Sequence, residues 1–456
     1  MTMTAVTRIT SPSVANAGTP APYQTGLPWI GQTLRYAHDP LRFMQRTLDR
    51  HGPVSEMTFL GKRWTTLIGP DACEAAFRNA DKALASGPGW GELVGPFFNR
   101  GLMLLDFAEH HQHRRIMQGA FTRDRLGGYT RALQAPIRSA VDSWPVHRQF
   151  EAYPAIKTAT LDIATQVFMG AATHANQPGE LDRLNRAFID CVQAATALVR
   201  RDLPRTRWRR AVRGRRELEI FLSRAVDGRR QAEGDDLLSV LCQLRDDDGR
   251  SFSDDAIVNH MIFLLMAAHD TSTSTATTMI QLLGQHPEWQ ERCRAEAMRL
   301  PEHITLDDLD TTVDLDLAMR EALRIVPPVP VVARYTVKET SILGVRIPAD
   351  RLVVVMLHLN HHLPDLWTEP HRFDPERFGK DRREDARHRH AWDPFGGGVH
   401  KCLGMFFAKA EVLSLMVQLL RARRWSIDPA YKAPLSYVSL PFPKDGMPIV
   451  LEPVRR

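Results

Sequence analysis

The chain is poor in cysteine and lysine, and it lacks any long hydrophobic run. Five scattered cysteines among 456 residues, with no CxxC pair, argue against a disulfide framework and a structural zinc site, and indicate a reduced cytoplasmic setting. The longest uninterrupted apolar stretch, residues 261–268, is far shorter than a bilayer span. The N-terminal residues contain no apolar run of the length that a signal sequence needs. We therefore expect a soluble protein with no transmembrane anchor.

Positive charge on this chain comes almost entirely from arginine: 50 arginines and 9 lysines contribute to a net charge of +6. The charge is spread along the sequence, and a diffuse excess of this size does not indicate a nucleic-acid partner. Hydrophobic residues make up 43% and charged residues 25% of the chain, which is typical of a globular enzyme. We therefore expect no nucleic acid among its partners.

The order of the periodic segments indicates a mainly α protein with small β-sheets. Residues 1–22 are rich in proline, serine and threonine, which is typical of a disordered tail. A β-rich stretch follows at 54–69, and from there to about residue 300 apolar residues recur at helical intervals. Short strands return at 331–357. No linker or internal repeat divides the chain, so residues 23–456 are predicted to form a single domain.

One predicted helix is long for a globular protein. Ser253 is a suitable N-cap and Pro287 would end the helix, which leaves roughly 33 residues. The helix is apolar nearly all round over 261–268, so it should run through the core. Polar residues follow at 269–273, where buried groups need partners or a purpose. Both a satisfied hydrogen-bond cluster and a functional site are consistent with this pattern.

The stretch PFGGGVHKCLG, residues 394–404, places one cysteine in a loop with four glycines. Glycine lets a backbone approach another group closely and adopt conformations that are closed to other residues. Cys402 precedes an apolar helix, whose N-terminus should favour the thiolate, as should Lys401 and His400. A thiolate at a glycine-lined turn is suited to be the axial ligand of a metal macrocycle, although such a cysteine is more often structural.

Two other segments carry charges that are suited to pair. Glu321 and Arg324 lie three residues apart on one helical face, a spacing that most often gives a surface ion pair. Arg377, in FDPERF, adds a second arginine just ahead of the cysteine loop. A glutamate with two arginines can form a buried, multiply hydrogen-bonded network.

Taken together, these motifs resemble those of the cytochrome P450 family. The family's haem-binding signature matches Phe395, Gly398, His400, Cys402 and Gly404. Four other segments are similar to family motifs: HHQHRR, AAHDT, EALR and PERF. They occur in the family's order, and the resemblance covers roughly residues 23–453. It implies the cytochrome P450 fold, with a long central helix over a buried haem b.

The resemblance also implies how the haem is held. Cys402 would be the thiolate ligand of the iron, and its electron donation favours O–O cleavage. Four cationic side chains would bind the two propionates, because buried propionates need such donors: His110, Arg114, Arg334 and His400. Glu321, Arg324 and Arg377 would hold the proximal face without reacting.

On the opposite face, the resemblance implies that Asp270 and Thr271 deliver protons to bound oxygen. The family usually has glycine where this chain has Ala268. The additional methyl group is expected to alter substrate geometry more than function. His269 falls at a variable position of the motif and is assigned no catalytic role.

The activity implied by the resemblance is that of a haem-thiolate monooxygenase, which inserts one atom of O2 into its substrate. The chain has no flavin or iron–sulfur motif, so a ferredoxin and a ferredoxin reductase would supply electrons. Five basic residues near Cys402 are candidates to attract an acidic ferredoxin: Arg382, Arg383, Arg387, Arg389 and Lys401. Alternatives are a peroxide-driven enzyme or isomerase of the same fold, which tends to lose the acid–threonine pair, and a non-catalytic haem sensor or carrier.

Apolar residues from four segments are predicted to line the substrate pocket. They are Trp90, Leu93, Phe97, Phe98, Phe263, Ala267, Ala268, Val329, Val331, Val332 and Leu440. Each is also compatible with an ordinary core position, but together they favour a lipophilic substrate. The N-terminal segment and the AAHDT groove look more like those of sterol- and retinoid-type family members. A steroid, terpenoid or fatty-acid-like substrate is therefore expected.

The stretch 199–216 carries nine arginines and one aspartate. It is predicted to be the solvated face of the helix pair that covers the substrate entrance. Trp208 within it leaves peripheral contact with a membrane surface open as an alternative.

Overall fold

A computed structural model describes residues 18–92, 94–170, 179–195, 197, 199–231, 234–437 and 440–454. Its helices are α1 (Thr33–His38), α2 (Pro40–His51), α3 (Pro70–Arg78), α4 (Gly87–Gly91), α5 (Gly95–Phe98), α6 (Phe107–Gln118), α7 (Arg123–Ser143), α8 (Ala152–Met169), α9 (Glu180–Ala195), α10 (Arg207–Arg229), α11 (Leu237–Gln243), α12 (Asp254–Gln285), α13 (Pro287–Arg299), α14 (Leu306–Asp310), α15 (Val313–Ile325) and α16 (Met405–Ala422). The predicted mainly helical architecture is therefore observed.

The strands are short and form small sheets. They are β1 (Thr19–Pro20), β2 (Tyr23–Gln24), β3 (Val54–Phe59), β4 (Lys62–Ile68), β5 (Leu84–Ala85), β6 (Gln149–Glu151), β7 (Val331–Thr336), β8 (Thr340–Ile342), β9 (Val345–Ile347), β10 (Leu352–Met356), β11 (Arg423–Trp425), β12 (Leu435–Ser436), β13 (Phe442–Pro443) and β14 (Pro448–Pro453). The largest sheet has the order β2-β3-β4-β10-β7-β5, with β10 parallel to β4 and antiparallel to β7. The smaller sheets have the orders β1-β9-β8, β11-β14-β6 and β12-β13.

Helix α12 forms where the sequence predicts the long helix. Ser253 is its N-cap and accepts a hydrogen bond from the N–H of Ala256 at 3.2 Å. Asp254 and Asp255 lie at the positive end of the helix, where carboxylates are favourable. The helix has 32 residues and ends at Gln285, two residues before Pro287. Helices α8, α10, α15 and α16 pack against it, so its predicted course through the core is observed.

The large sheet and α3 position the cysteine loop. Helix α3 packs against β4 and β10, and the same helix contacts the turn at residues 398–400. A second apolar core lies here, built from residues of α3, β4 and β10. The loop therefore rests on the sheet layer on one side and leads into α16 on the other.

The N-terminal tail is ordered closer to the start of the chain than the sequence predicts. Thr19 and Pro20 form β1, which pairs in parallel with Val345 and Arg346 of β9. The N–H of Thr19 donates to the carbonyl oxygen of Gly344 at 3.1 Å. Strand pairing thus begins within the predicted tail of residues 1–22. Residues 1–17 lie outside the described part of the chain.

Candidate active site

The glycines of the cysteine loop are required by its packing on α3. Gly396 and Gly398 have φ of 65° and 64°, which is the left-handed region that favours glycine. A Cβ atom on Gly397 would lie 2.5 Å from the ring of Phe77, and one on Gly398 would lie 2.2 Å from the carbonyl oxygen of Phe77. Side chains at these positions would push the loop off α3. The sequence interpretation attributed the glycines to a flat ligand, whereas this contact accounts for two of them.

Cys402 is held at the end of that loop. Its N–H donates to the carbonyl oxygen of Phe395 at 2.9 Å, and Gly404 precedes the first residue of α16. All five cysteines are described, and Cys402 is the one with an exposed side chain, while the other four are buried. The Cys402 side chain is thus exposed at its surface, while the surrounding protein partly desolvates the thiol.

The pKa of Cys402 differs from the sequence expectation. Burial raises the pKa of the thiol, although the N–H of Gly404 and the charges of Arg114 and Lys401 act to lower it. The prediction that these surroundings alone favour the thiolate is therefore wrong, because desolvation outweighs them. A bound metal cation would reverse this balance, since metals deprotonate a coordinating thiol.

The four predicted propionate ligands lie together. The rings of His110 and His400 are 3.9 Å apart between centroids. Burial and the neighbouring cations Arg114 and Arg334 lower the pKa of His110 to about 4 and that of His400 to about 2. Burial lowers the pKa of Arg334 to about 10. Nε2 of His110 is buried and has no hydrogen-bond partner among the described residues. Arg114 and Arg334 thus disfavour the charged forms of both imidazoles, whereas a bound anion would favour them, so the group fits an anion such as a propionate.

Asp106 is an acidic member of this group that sequence reasoning missed. Its carboxylate accepts hydrogen bonds from the N–H groups of Ser86 at 2.6 Å and Gly87 at 2.8 Å. It also lies 3.8 Å from Nε2 of His400. The residue is the N-cap of α6, and that position is the only sequence signal that could have identified it.

The predicted glutamate–arginine network is present and fully buried. Glu321 accepts hydrogen bonds from Arg324 at 2.7 and 2.9 Å and from Arg377 at 3.0 Å. Glu384, which was not predicted, accepts from Arg377 at 2.9 Å. The two guanidinium groups donate further hydrogen bonds to backbone carbonyl groups, which belong to His361, Pro370, Thr368, Glu369 and Arg372. The surface-pair alternative for Glu321 and Arg324 is therefore excluded.

On α12, Asp270 is paired with a lysine that was not predicted. Nζ of Lys157, on α8, lies 2.8 Å from Oδ1 of Asp270, and Nδ1 of His269 lies 3.3 Å from the same atom. Burial acts to lower the pKa of Lys157, but Asp270 and Tyr153 outweigh it and raise this pKa. The hydroxyl of Thr271 donates to the carbonyl oxygen of Ala267 at 2.8 Å. Asp270 thus has a cationic partner. The hydroxyl group of Thr271 makes the hydrogen bond to the preceding helical turn that is common for threonine in helices.

A buried carboxyl group contacts Ser272, the residue that follows Thr271. The hydroxyl of Ser272 donates to Glu411, which lies on α16, and the other carboxyl oxygen of Glu411 has no partner among the described residues. Burial raises the pKa of Glu411 to about 8, although the hydrogen bond from Ser272 acts to lower it. This carboxyl group is therefore mostly protonated at neutral pH.

The predicted pocket residues fall into two groups. Phe97 and Phe98 are buried against aromatic rings of α10 and α9, namely Trp208 at 4.8 Å and Phe188 at 6.3 Å between centroids. They are core as well as pocket candidates, and Phe263 is likewise buried. The other described candidates are half-buried apolar residues: Trp90, Ala267, Ala268, Val329, Val331, Val332 and Leu440. Leu93 lies outside the described residues.

A mainly helical protein with one accessible thiol, a buried group of cations and a long helix bearing an acid–threonine pair is of the haem-thiolate class. The family model described as Cytochrome P450 matches residues 20–446. Cytochrome P450 136 of Mycobacterium tuberculosis is 44% identical, over 98% of this chain and 91% of that protein. Lanosterol 14-alpha demethylase of Rattus norvegicus is 25% identical, over 93% of this chain and 86% of that protein. Retinoic-acid-bound cyanobacterial CYP120A1 superposes with a TM-score of 0.85 at 27% identity, over 96% of this chain and all of that one (100%).

The chain belongs to the cytochrome P450 family. The predicted fold class is confirmed, and so is the haem cofactor, which this family and fold carry. Family membership makes the protein an oxidoreductase of the monooxygenase type. Among the described residues, no helix combines the length and the apolarity needed to cross a bilayer.

Proposed function

We propose that the protein is a haem-thiolate monooxygenase with Cys402 as the iron ligand and a lipophilic substrate. The observation that carries the proposal is the position of Cys402, the accessible thiol, close to Arg114 and beside the group of His110, Arg334 and His400. A haem has one metal and two carboxylates, so it needs one such thiol and several such cations. When bound, the haem supplies oxygen activation and electron transfer.

The residues of the chain have separate tasks in this proposal. Arg114, Arg334 and the two histidines bind the propionates and thereby orient the ring. Glu321, Arg324 and Arg377 fix the segment that leads into the cysteine loop. Asp270 holds or moves a proton at its carboxylate, and Thr271 positions a water or a substrate oxygen with its hydroxyl group. Lys157 orients the Asp270 carboxylate through their ion pair.

A steroid, terpenoid, retinoid or fatty-acid-like molecule is the proposed substrate. The half-buried candidates for the pocket wall are alanine, valine, leucine and tryptophan, which offer no charge to a ligand. One relative is named as a lanosterol demethylase and one similar structure contains retinoic acid, which supports the same substrate size. Ala268 would narrow the pocket near Thr271 by one methyl group.

An acidic ferredoxin, reduced by a ferredoxin reductase, is the proposed electron donor, and of the five predicted docking residues we retain Lys401. Four predicted arginines are engaged in ion pairs: Arg382 with Asp374 and Glu384, Arg383 with Asp385, Arg387 with Glu384, and Arg389 with Glu74. Their charge is therefore balanced locally. Lys401 is exposed, as are the apolar side chains of Val399 and Phe406 on either side of it. We place the docking centre on these three residues.

A Soret titration of the purified ferric protein tests the substrate class. Steroids, terpenoids, retinoids and fatty acids are added separately, and a low-to-high-spin shift with one class is expected because a substrate displaces iron-bound water. No shift with any class in a haem-loaded sample would overturn the lipophilic assignment. Product that carries one atom of labelled O2, formed with ferredoxin and its reductase, would distinguish a monooxygenase from a peroxide-driven enzyme, an isomerase or a haem carrier.

A substitution of Cys402 tests whether its thiol is the iron ligand. Cys402→Ser is expected to lose the red-shifted Soret band of the reduced carbon monoxide complex, while the control Cys242→Ser keeps it. Retention of that band in Cys402→Ser would show that another residue ligates the iron.

A further inference from the structure

A pair of histidines joins α6, the helix that carries His110 and Arg114, to α12. Nδ1 of His113, on α6, lies 2.8 Å from Nε2 of His260, on α12, and the two rings share a hydrogen bond. His260 is fully buried, and the buried ring of Phe252 lies against both imidazoles, at centroid distances of 5.2 and 4.9 Å. The hydrogen bond is therefore shielded from water, which strengthens it electrostatically.

Both imidazoles of this pair are neutral at neutral pH. Burial lowers the pKa of His260 to about 3, and the proximity of His113 and Arg100 acts in the same direction. Burial also lowers the pKa of His113, although Glu109 acts to raise it. Each neutral ring has one N–H donor and one acceptor nitrogen, so one histidine of the pair donates and the other accepts.

The surroundings of the other two ring nitrogens assign the direction of this hydrogen bond. Nδ1 of His260 is buried and has no partner among the described residues. A buried N–H without an acceptor is rarer in proteins than a buried acceptor without a donor, so the proton of His260 belongs on Nε2. His260 therefore donates to His113, whose own proton is on Nε2. His113 lines a polar cleft of about 380 Å³, so this second N–H can reach water.

Stability alone does not account for a histidine at position 260. Its neighbours on the same buried face of α12 are apolar, namely Ile257, Met261 and Leu264. A leucine there would bury no polar atom, whereas His260 leaves Nδ1 desolvated and unpaired, which is a cost. One neutral hydrogen bond adds little net stability, because water offers the same bond to the unfolded chain. A positioning role is the better explanation for this residue.

Helix α6 needs polar anchors because it contributes little to the core. Three of its twelve residues are buried: His110, Ile116 and Met117. Its ion pairs join exposed side chains and contribute little: Arg100 with Glu109, and Arg115 with Asp247. Both α6 and α12 lie wholly within the described residues, and the bond from His260 is the only hydrogen bond or ion pair between them there.

We propose that the hydrogen bond from His260 to His113 positions the propionate-binding side chains of α6. His110 precedes His113 by about one helical turn, and Arg114 follows it directly. The rotation of α6 that brings Nδ1 of His113 to His260 therefore also sets the directions of His110 and Arg114. His260 acts on the haem only through α6, so it is a positioning residue. The inference rests on the proposed function, because it takes His110 and Arg114 as propionate ligands.

Two measurements on the haem-loaded protein test the proposal without turnover. The rate of haem transfer to apomyoglobin measures how firmly the haem is held, and the resonance Raman propionate band reports hydrogen bonds to the propionates. His260→Leu removes the donor and leaves an apolar side chain in an apolar setting. It should speed haem transfer about fivefold or more, as expected for the loss of one hydrogen bond, and it should shift the propionate band. His113→Leu removes the acceptor and should have the same two effects.

Conservative variants of His260 distinguish the hydrogen bond from the shape of the ring. The amide nitrogen of His260→Gln can take the place of Nε2 and donate to His113, so this variant should keep the haem and the Raman band as they are. His260→Asn is too short to place a donor there and should behave as His260→Leu does. The matched control is His111→Leu, a change in an exposed histidine of α6, which should alter neither measurement.

Unchanged haem transfer and an unchanged Raman band in His260→Leu would overturn the proposal, as would haem loss from His260→Gln that is as fast as from His260→Leu. Arg114→Leu separates this failure from failure of the proposed function. A band shift in Arg114→Leu without one in His260→Leu overturns the positioning role alone. No shift in either variant overturns the propionate assignment of Arg114 as well. A shift in His260→Leu alone supports the positioning role and assigns it to His110.

Discussion

Arg215 donates a hydrogen bond from Nη1 to the carbonyl oxygen of Phe97 at 2.9 Å. Its Nε donates to Glu219 on the same helix at 2.7 Å, and its Nη2 donates to Asn259 on α12. One guanidinium group, only 7% exposed, therefore joins α10, α5 and α12. Since Phe97 is a candidate for the pocket wall, Arg215 fixes the position of a segment that substrate must pass or contact.

The sequence predicts that the arginines at 199–216 are solvated, and for Arg215 this is wrong. The reason lies in the preceding residue. A Cβ atom on Gly214 would lie 2.5 Å from the carbonyl oxygen of Ala187, so α10 crosses α9 in close contact there. The helix is pressed against the protein at this point, and Arg215 is buried as a result.

Arg215→Gln should weaken the attachment of α5 to α10 and α12. The substitution leaves the Phe97 carbonyl and the Asn259 side chain without their donor, which costs about 1–3 kcal/mol in the free energy of unfolding. Substrate should bind more weakly in the ferric titration, while the reduced carbon monoxide spectrum stays unchanged. Arg213→Gln is the matched control, because Arg213 is exposed on the same helix. Equal substrate affinity and stability in both variants would show that Arg215 does not fix α5.

Arg377→Met should be strongly destabilising. It removes the cation between Glu321 and Glu384 and leaves two buried carboxylates facing each other with less compensation. Breaking such a buried pair typically costs about 3–5 kcal/mol, and we expect a matching loss in urea unfolding together with low haem content. The exposed pair of Arg372 and Glu369 offers the control, since Arg372→Gln should cost less than about 1 kcal/mol. A stable, fully haem-loaded Arg377→Met protein would contradict a structural role for the network.

The predictable part of this fold and site is the part encoded locally. The limits of α12 follow from Ser253 and Pro287, and the cysteine loop is recognisable because its glycines and Cys402 are contiguous in the sequence. The partners of these motifs are not contiguous. Sequence reasoning identified Asp270, but it missed the partner Lys157, which lies 113 positions earlier in the chain.

The environment of a charged side chain is equally hard to predict from the sequence. A run of arginines looks alike in the sequence whether its members are solvated, ion-paired or buried. Arg213 is exposed, Arg389 is paired with Glu74 across the fold, and Arg215 is buried. Which of these occurs depends on helix crossings such as the one at Gly214, and no local pattern encodes those crossings.

Lys157→Met should slow product formation about tenfold without altering substrate affinity. Its ammonium group holds the Asp270 carboxylate at 2.8 Å, and loss of that partner frees a group that must present a proton in one orientation. The measurements are the rate of product formation and the product formed per O2 consumed, beside the ferric titration. Lys444→Met, a change in a lysine with no ion pair to Asp270, is the control. Unchanged turnover in Lys157→Met would remove this lysine from the proposed function.

Glu411→Gln should stabilise the protein at high pH and not at low pH. The pKa of Glu411 is about 8 in the fold, whereas an ordinary glutamate titrates near 4.5. Between these values the unfolded chain has lost its proton and the folded protein has kept it. The stability contributed by Glu411 is therefore complete below about pH 4.5 and declines as pH rises towards 8. Each pH unit in this range costs about 1.4 kcal/mol.

A glutamine at this position does not titrate, and its side-chain oxygen still accepts the hydrogen bond from Ser272. The stability of the variant should therefore not decline between pH 4.5 and pH 8 because of this residue. Urea unfolding at pH 6.0 and pH 7.5 measures it: the stability difference between variant and unaltered protein should grow by about 2 kcal/mol across that interval. Glu109→Gln, a change in an exposed glutamate, should show no such growth. Ser272→Ala should raise the pKa of Glu411 further, because the hydrogen bond that favours its charged form is lost. If the difference stays constant with pH, Glu411 is ionised in the folded protein, and its carboxylate must then have a cationic or hydrated partner.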